Sequence, residues 1–227
     1  MTKKLILLLI VFISFYANAQ IKKGTILLGG QIAFAESNRE AVNNFPIPQA
    51  NPFLPNDQSR NFNFGLSIGK AIKDNKVFGV NVNTGYSKQS FYYNLPEKGI
   101  IRGKSFEVGV FLRKYKMLIK DFYLFGQGSA SVNTANSKYS FTTQNYNSVT
   151  KQFTTSLSFA PGVAYILSKK LHVELSMQNL VSIGYYTSKQ EFNNSMIPTS
   201  KSNGFGLSSS LSNSVLGNLG IGFRIVL

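Results

Sequence analysis

Phe62-Asn63-Phe64-Gly65-Leu66-Ser67-Ile68-Gly69, residues 62–69, is the stretch that decides the fold. Large apolar side chains occupy every even position, and small or polar ones every odd position. Successive side chains of a β-strand point to opposite faces, whereas a helix would scatter these two sets around its axis. The stretch is therefore a strand with one oily face and one small, polar face. The same period returns nearby, where Phe78, Val80 and Val82 alternate with Gly79, Asn81 and Asn83.

Working outward, the pattern recurs along the chain. Phe106, Val108, Val110 and Leu112 oppose Glu107, Gly109, Phe111 and Arg113, and Phe153, Leu157, Phe159, Val163 and Tyr165 oppose Ser156, Ser158, Ala160, Gly162 and Ala164. A seventh segment sets Leu171, Val173, Leu175 and Met177 against His172, Glu174, Ser176 and Gln178. The last runs through Leu219, Ile221, Phe223, Ile225 and Leu227. Two segments are less clean. In residues 24–35, Ile26, Leu28, Ile32 and Phe34 share a face but Leu27 falls on the other. In residues 122–132, Tyr123 and Phe125 oppose Leu124, Gly126 and Gly128, so the pattern does not say which face is the oily one. The count is eight strands, with ten as the competing number.

Connections alternate in length. Short ones fall at 72–76, 114–121 and 166–170, and long polar ones at 36–59, 89–104, 133–152 and 187–204. A solvated sheet face would be rich in Lys and Glu. Here the polar face is Gly, Ser, Asn and Thr in a chain only 15% charged, below the typical ~25%. Small polar residues suit a narrow lumen, and an apolar outer face suits lipid. The fold expected is all-β, a closed antiparallel transmembrane β-barrel with short periplasmic turns, long extracellular loops and both termini in the periplasm. A soluble exported barrel or sandwich is the alternative. Tyr86, Tyr92, Tyr93, Tyr185 and Tyr186 near the outer ends, with Tyr115, Tyr123 and Tyr165 near the inner ends, are expected to form two aromatic girdles.

Export is read from the N-terminus. Lys3 and Lys4 precede an apolar run over residues 5–15, and Ala17-Asn18-Ala19 follows with Gln20 after it. The run is too short to span a bilayer as a helix and has the three-part form of a signal peptide. Cleavage after Ala19 would leave a mature barrel domain at 20–227, and position 20 is not the Cys of a lipoprotein. The absence of cysteine excludes disulfides and thiolate metal sites. Net charge is +15, or +13 without the two leader lysines. Much of it (Lys70, Lys73, Lys76, Arg113, Lys114, Lys116, Lys120, Lys169, Lys170) sits at expected turns, which suits a membrane slab better than nucleic acid.

The junction at residues 17–20, the run Pro161-Gly162-Val163-Ala164-Tyr165 entering a basic turn, and the closing Gly220-Ile221-Gly222-Phe223-Arg224-Ile225-Val226-Leu227 carry a resemblance. The chain resembles the small outer-membrane barrels of the OmpX and OmpA transmembrane-domain type, particularly the variants common in Bacteroidota. The resemblance implies an integral outer-membrane location and a C-terminal strand read by the insertion machinery. Leu227 departs from the aromatic ending of many members. The motifs are architectural and specify no activity.

No catalytic set emerges. His172, the single histidine, has no Cys and no second His to work with, so a structural role is favoured over a general base or metal ligand. No cofactor or metal is expected, and the chain is read as non-enzymatic. Two functions are open: a structural or binding protein acting through its loops or within a larger membrane assembly, and a porin-like barrel passing small solutes or lipids. Expected partners are outer-membrane lipid and lipopolysaccharide, the insertion machinery, and either another membrane protein or an extracellular ligand. Residues 36–59, with Pro46, Pro48, Pro52 and Pro55, are the segment most expected to carry recognition. Inside the barrel, Glu174 and Arg224 fall at similar depth on inward faces and should pair, because stranding a buried charge is costly. Glu107 and Arg113 are expected to extend this network among Asn81, Asn83, Ser156 and Ser158, plugging the lumen.

Overall fold

The computed structural model describes residues 21–39, 57–94, 97–141, 147–177, 179–194, 197–209 and 219–227. Residues 1–20, which include the expected signal peptide, and most of residues 36–59 lie outside them. The strands are β1 (Ile26–Arg39), β2 (Asp57–Lys73), β3 (Lys76–Asn94), β4 (Glu97–Ile119), β5 (Phe122–Phe141), β6 (Asn147–Ser168), β7 (Leu171–Met177), β8 (Val181–Phe192), β9 (Ser200–Ser209) and β10 (Leu219–Val226). All pairings are antiparallel. β1 to β6 pair in sequence order, β6 pairs β7, β7 pairs β10, and β10 returns to β1. That closes a ring of eight.

Ten ladder segments make eight staves because β7 and β8 are the lower and upper parts of one stave, both paired to β6, and β10 and β9 are the lower and upper parts of the next. The register along β6 moves from Gly162↔Ser176 to Phe159↔Val181, so the partner carries extra residues at the junction. Asn179 takes a left-handed φ of 50° there, a conformation Asn tolerates better than most residues. Above the junction β9 pairs β8, and below it β10 pairs β7.

Ring closure demands stagger, and the register shows it. Leu28 lies opposite Ile225, near the C-terminus. Stepping across partners from Leu28 leads through Ile68, Val80, Val110, Ala130 and Leu157 to Ile183, above the junction. The staves are tilted.

The short turns carry Asn75 at φ 57° and Asp121 at φ 66°. Leu227 exchanges backbone hydrogen bonds with Ile26, so the first and last strands, β1 and β10, meet at this short-turn end. At the opposite end the long connections are shorter than their sequence suggested. β3 and β4 run as a ladder from Gln89↔Ile101 to Asn94↔Glu97, and β5 and β6 from Asn133↔Thr154 to Ser140↔Asn147. Polar residues hold these strands because backbone pairing, not side-chain oiliness, continues the ladder above the lipid. The longest strand, β4, has 23 residues, about twice the 9–11 that suffice to cross a bilayer.

The apolar set faces out. Phe62, Phe64, Leu66 and Ile68, with Val108, Val110, Ile221 and Phe223, are all exposed. On β4 this stripe is bounded by Lys104 and Lys114, ten residues apart. At ~3.4 Å per residue and a tilt near ~40°, that spacing is ~26 Å, matching the ~25 Å apolar band of outer-membrane barrels. Val110 lies near its middle. Val110→Arg is expected to lower unfolding free energy by ~2–4 kcal/mol in lipid vesicles, measured by urea titration. A solvated face would tolerate the change.

β5 resolves with Tyr123 and Phe125 inward. Phe122, Leu124 and Val132 are exposed, while Tyr123 and Phe125 are buried. Phe159 on β6 lies over Gly126 from outside, supplying apolar cover where β5 has none. Three expected girdle members are corrected, two of them at the short-turn end. Tyr115 and Tyr123 are only 3% and 2% exposed, because they share parity with inward Arg113 and Phe125. The girdle at the short-turn end is instead Tyr165 stacked on Phe122, with centroids 4.6 Å apart. At the outer end Tyr86 is exposed and Tyr185 stacks on Phe205 at 5.1 Å. Tyr186 turns inward beside Gly204, and the side chains of Tyr92 and Tyr93 lie outside the described set.

Candidate functional site

The lumen has a floor and a plug. Ile21, from the segment before β1, is buried with Leu27, Ala71 and Val77 at the short-turn mouth, in one cluster with Phe111, Tyr115, Tyr123, Phe125 and Ala164. Leu27, the odd residue of its segment, is fully buried in this floor. Hydrogen bonds from Gly24 N to Ala71 O (2.8 Å) and from Asn75 N to Ile21 O (2.9 Å) tie the N-terminal segment across the opening.

On that floor sits one carboxylate between two guanidinium groups. Arg224 Nε donates to Glu174 Oε1 at 2.8 Å and its Nη2 to Oε2 at 3.2 Å. From the far wall, Arg113 Nη1 donates to Oε2 at 2.6 Å, and the Tyr115 hydroxyl donates to Oε1 at 3.0 Å. Arg113 Nε reaches Gln127 Oε1 at 2.8 Å. Its guanidinium carbon also lies 4.2 Å from the Phe125 ring centroid, within cation–π range. All three charged groups are buried. Charges out of water require such partners, and bidentate arginine geometry supplies most of them, leaving Arg224 Nη1 buried without a hydrogen bond among the described residues. Gly29 makes the space: a Cβ there would come within 3.1 Å of the Arg224 guanidinium.

The four residues singled out from sequence are thus divided. Glu174 and Arg224 are joined, on adjacent β7 and β10, and Arg113 joins them from β4. Glu107 stands apart, accepting from Asn83 Nδ2 at 2.7 Å, while Gln31 Nε2 donates to Asn83 Oδ1 at 3.3 Å. It belongs to a separate polar layer above the plug. Ser156 bonds Ser131 at 3.0 Å, and Asn81, Asn83 and Ser158 line the space between the layers, a polar cavity of about 250 Å³. Sequence reasoning missed Tyr115, Gln127 and Phe125 as partners of the charges. The signal for Tyr115 was available, since it sits two residues from Arg113 and so on the same face. His172 is buried opposite Arg224 in the β7–β10 ladder. Among the described residues no three His, Cys, Asp or Glu side chains converge as a metal site would require.

The chain is similar to several solved structures. Outer membrane protein OprG from Pseudomonas aeruginosa is similar over 92% of this chain and 99% of that one, at 14% identity and a TM-score of 0.50. Neisserial surface protein A matches over 89% and 97%, at 14% identity and a TM-score of 0.42. A major outer membrane protein from Thermus thermophilus matches over 89% and 99%, at 9% identity and a TM-score of 0.45. At these identities the likeness concerns fold alone. No functionally curated protein matches the sequence. The family model for the outer membrane protein β-barrel domain matches residues 5–212. With the closed ring, the apolar outer band and the short-turn end already in place, that match decides the matter: the chain belongs to the outer membrane protein β-barrel domain family and is an integral outer-membrane protein.

Proposed function

We propose that this protein is a non-enzymatic, closed barrel that serves a structural or binding role, through its projecting outer end or as a subunit of a larger membrane assembly. Removal of residues 1–19 as a signal peptide and delivery by the insertion machinery belong to this reading. The observation that carries it is the Arg113–Glu174–Arg224 plug resting on the apolar floor. An ion entering from outside crosses the polar cavity and then meets fixed, paired charges with Ile21, Leu27 and Val77 beneath them. Passage would require breaking buried ion pairs with little water to replace them.

The second reading, a barrel passing small solutes or lipids, draws on a different observation. Among the described residues the upper part of β1 (33–39) pairs only with β2, and β9 pairs only with β8. A lateral exit above the plug would use those edges. Planar-bilayer recording of the purified protein separates the two readings. The closed barrel gives no steady conductance; sustained single-channel steps would favour transport.

A further inference from the structure

Just above the apolar band, the outer face of the barrel carries a row of cations. Lys104 on β4 stands across from Asn136 on β5, which stands across from Lys151 on β6. Lys151 then faces Lys189 on β8, and Lys189 faces Lys201 on β9. Arg60, Lys88, Arg102 and Lys138 form a second row on β2 to β5. Among the described residues two carboxylates share this face. Glu36 takes Arg60 at 2.9 Å, and Glu191 takes Lys189 at 2.6 Å and Lys151 at 3.5 Å. The ammonium of Lys189, with Lys151 beside it, holds the Glu191 carboxyl below its ordinary range. Like charges directly opposite on neighbouring strands are disfavoured. Three lysines in line, sharing one acid, leave an excess that an outside anion would balance.

The same staves carry two depressions, one above the other. The upper, about 980 Å³, is lined by Lys104, Lys151, Lys189 and Lys201, with Phe106 and Phe153 at its edge. The lower, about 650 Å³, is lined by Val110, Ala130, Val132, Leu157, Ile183 and Phe205. It lies within the band that meets acyl chains, and the small Ala130 leaves it hollow. A cationic seat over an apolar hollow has the polarity profile of a lipid: anionic headgroup above, chains below.

We propose that this face binds a lipid of the surrounding outer leaflet that carries two or more phosphate groups and several acyl chains. The phosphates sit on Lys104, Lys151, Lys189 and Lys201, and a chain fills the hollow over Ala130. Several phosphates are specified because four lysines less one shared carboxylate leave more than one positive charge. Bisphosphorylated lipid A is the probe, added to the mature protein in neutral-detergent micelles and followed by native mass spectrometry. Replacing the four lysines together by glutamine is expected to weaken retention about a hundredfold, each cation near an anionic headgroup contributing several-fold. Heat-modifiable gel mobility checks that the barrel stays folded. Ala130→Phe, which fills the hollow, should weaken lipid A and leave inorganic phosphate unaffected. Dephosphorylated lipid A should bind the wild type as weakly as the glutamine variant binds the intact lipid. Equal retention by the glutamine variant, or equal binding of dephosphorylated lipid, would overturn the proposal. Inorganic phosphate displacing lipid A at millimolar concentration, with Ala130→Phe silent, would assign the lysines to free anions instead.

Discussion

Glu174→Leu is expected to be among the most damaging single substitutions in the barrel, lowering its stability by ~3–5 kcal/mol. Leucine fills nearly the same space, so the loss is electrostatic. Arg113 and Arg224 would be left facing one another, both buried, with no carboxylate between them. Neutralising the set should reverse the loss. Arg113→Met, Glu174→Leu and Arg224→Met together remove every uncompensated charge, and buried ion pairs replaced by apolar residues are often neutral or stabilising. Arg224→Met alone should cost less than Glu174→Leu, because Glu174 keeps Arg113 at 2.6 Å and Tyr115 at 3.0 Å. Thermal unfolding in micelles, read by gel mobility, gives the order. A melting temperature unchanged by Glu174→Leu would mean that the plug is hydrated, and the closed-lumen reading would lose its support.

Gly79→Ala should prevent the folded form from accumulating. A methyl group on Gly79 would run into the Ile68 carbonyl oxygen, the Gly69 Cα at 2.6 Å and the Phe111 ring at 2.6 Å. Two of these are backbone atoms of the paired strand and cannot rotate away. Overpacking of a side-chain core costs ~1–3 kcal/mol, and prying β2 from β3 adds ladder hydrogen bonds to that. Gly30→Ala is the matched control, since its nearest neighbours would lie 4.0 Å away, and it should be neutral. If Gly79→Ala refolds in lipid vesicles as readily as Gly30→Ala, the close approach of β2 and β3 beneath Phe111 is wrong.

How far these features can be read in advance depends on the range of the interaction. Alternation is local, so the oily and polar faces of β2, β3 and β4 are legible in 62–69, 78–83 and 106–113. Depth along adjacent strands can be counted, and counting alone sets Glu174 and Arg224 side by side. The reach of Arg113 to Glu174 crosses the lumen between β4 and β7. It depends on stagger accumulated over the intervening strands, which no local pattern encodes. Distance from the turn points Tyr115 and Tyr123 to a girdle, whereas parity with Arg113 and Phe125 decides their direction. On β5 two glycines on the oily face empty it of the usual signal, and the cover comes from Phe159 on another strand. The upper strands read as loops because their outward residues are polar, and pairing there leaves no hydrophobic trace.

The height of those upper strands bears on what can approach them. Above Lys104, β4 continues to Glu97, a rise of ~18 Å at ~3.4 Å per residue and ~40° tilt. The screening length at physiological ionic strength is ~8 Å. The tips of the barrel therefore stand more than two screening lengths clear of the phosphates of the leaflet. A negatively charged partner docking there would feel the lysines and arginines of the wall beneath it before the repulsion of the membrane.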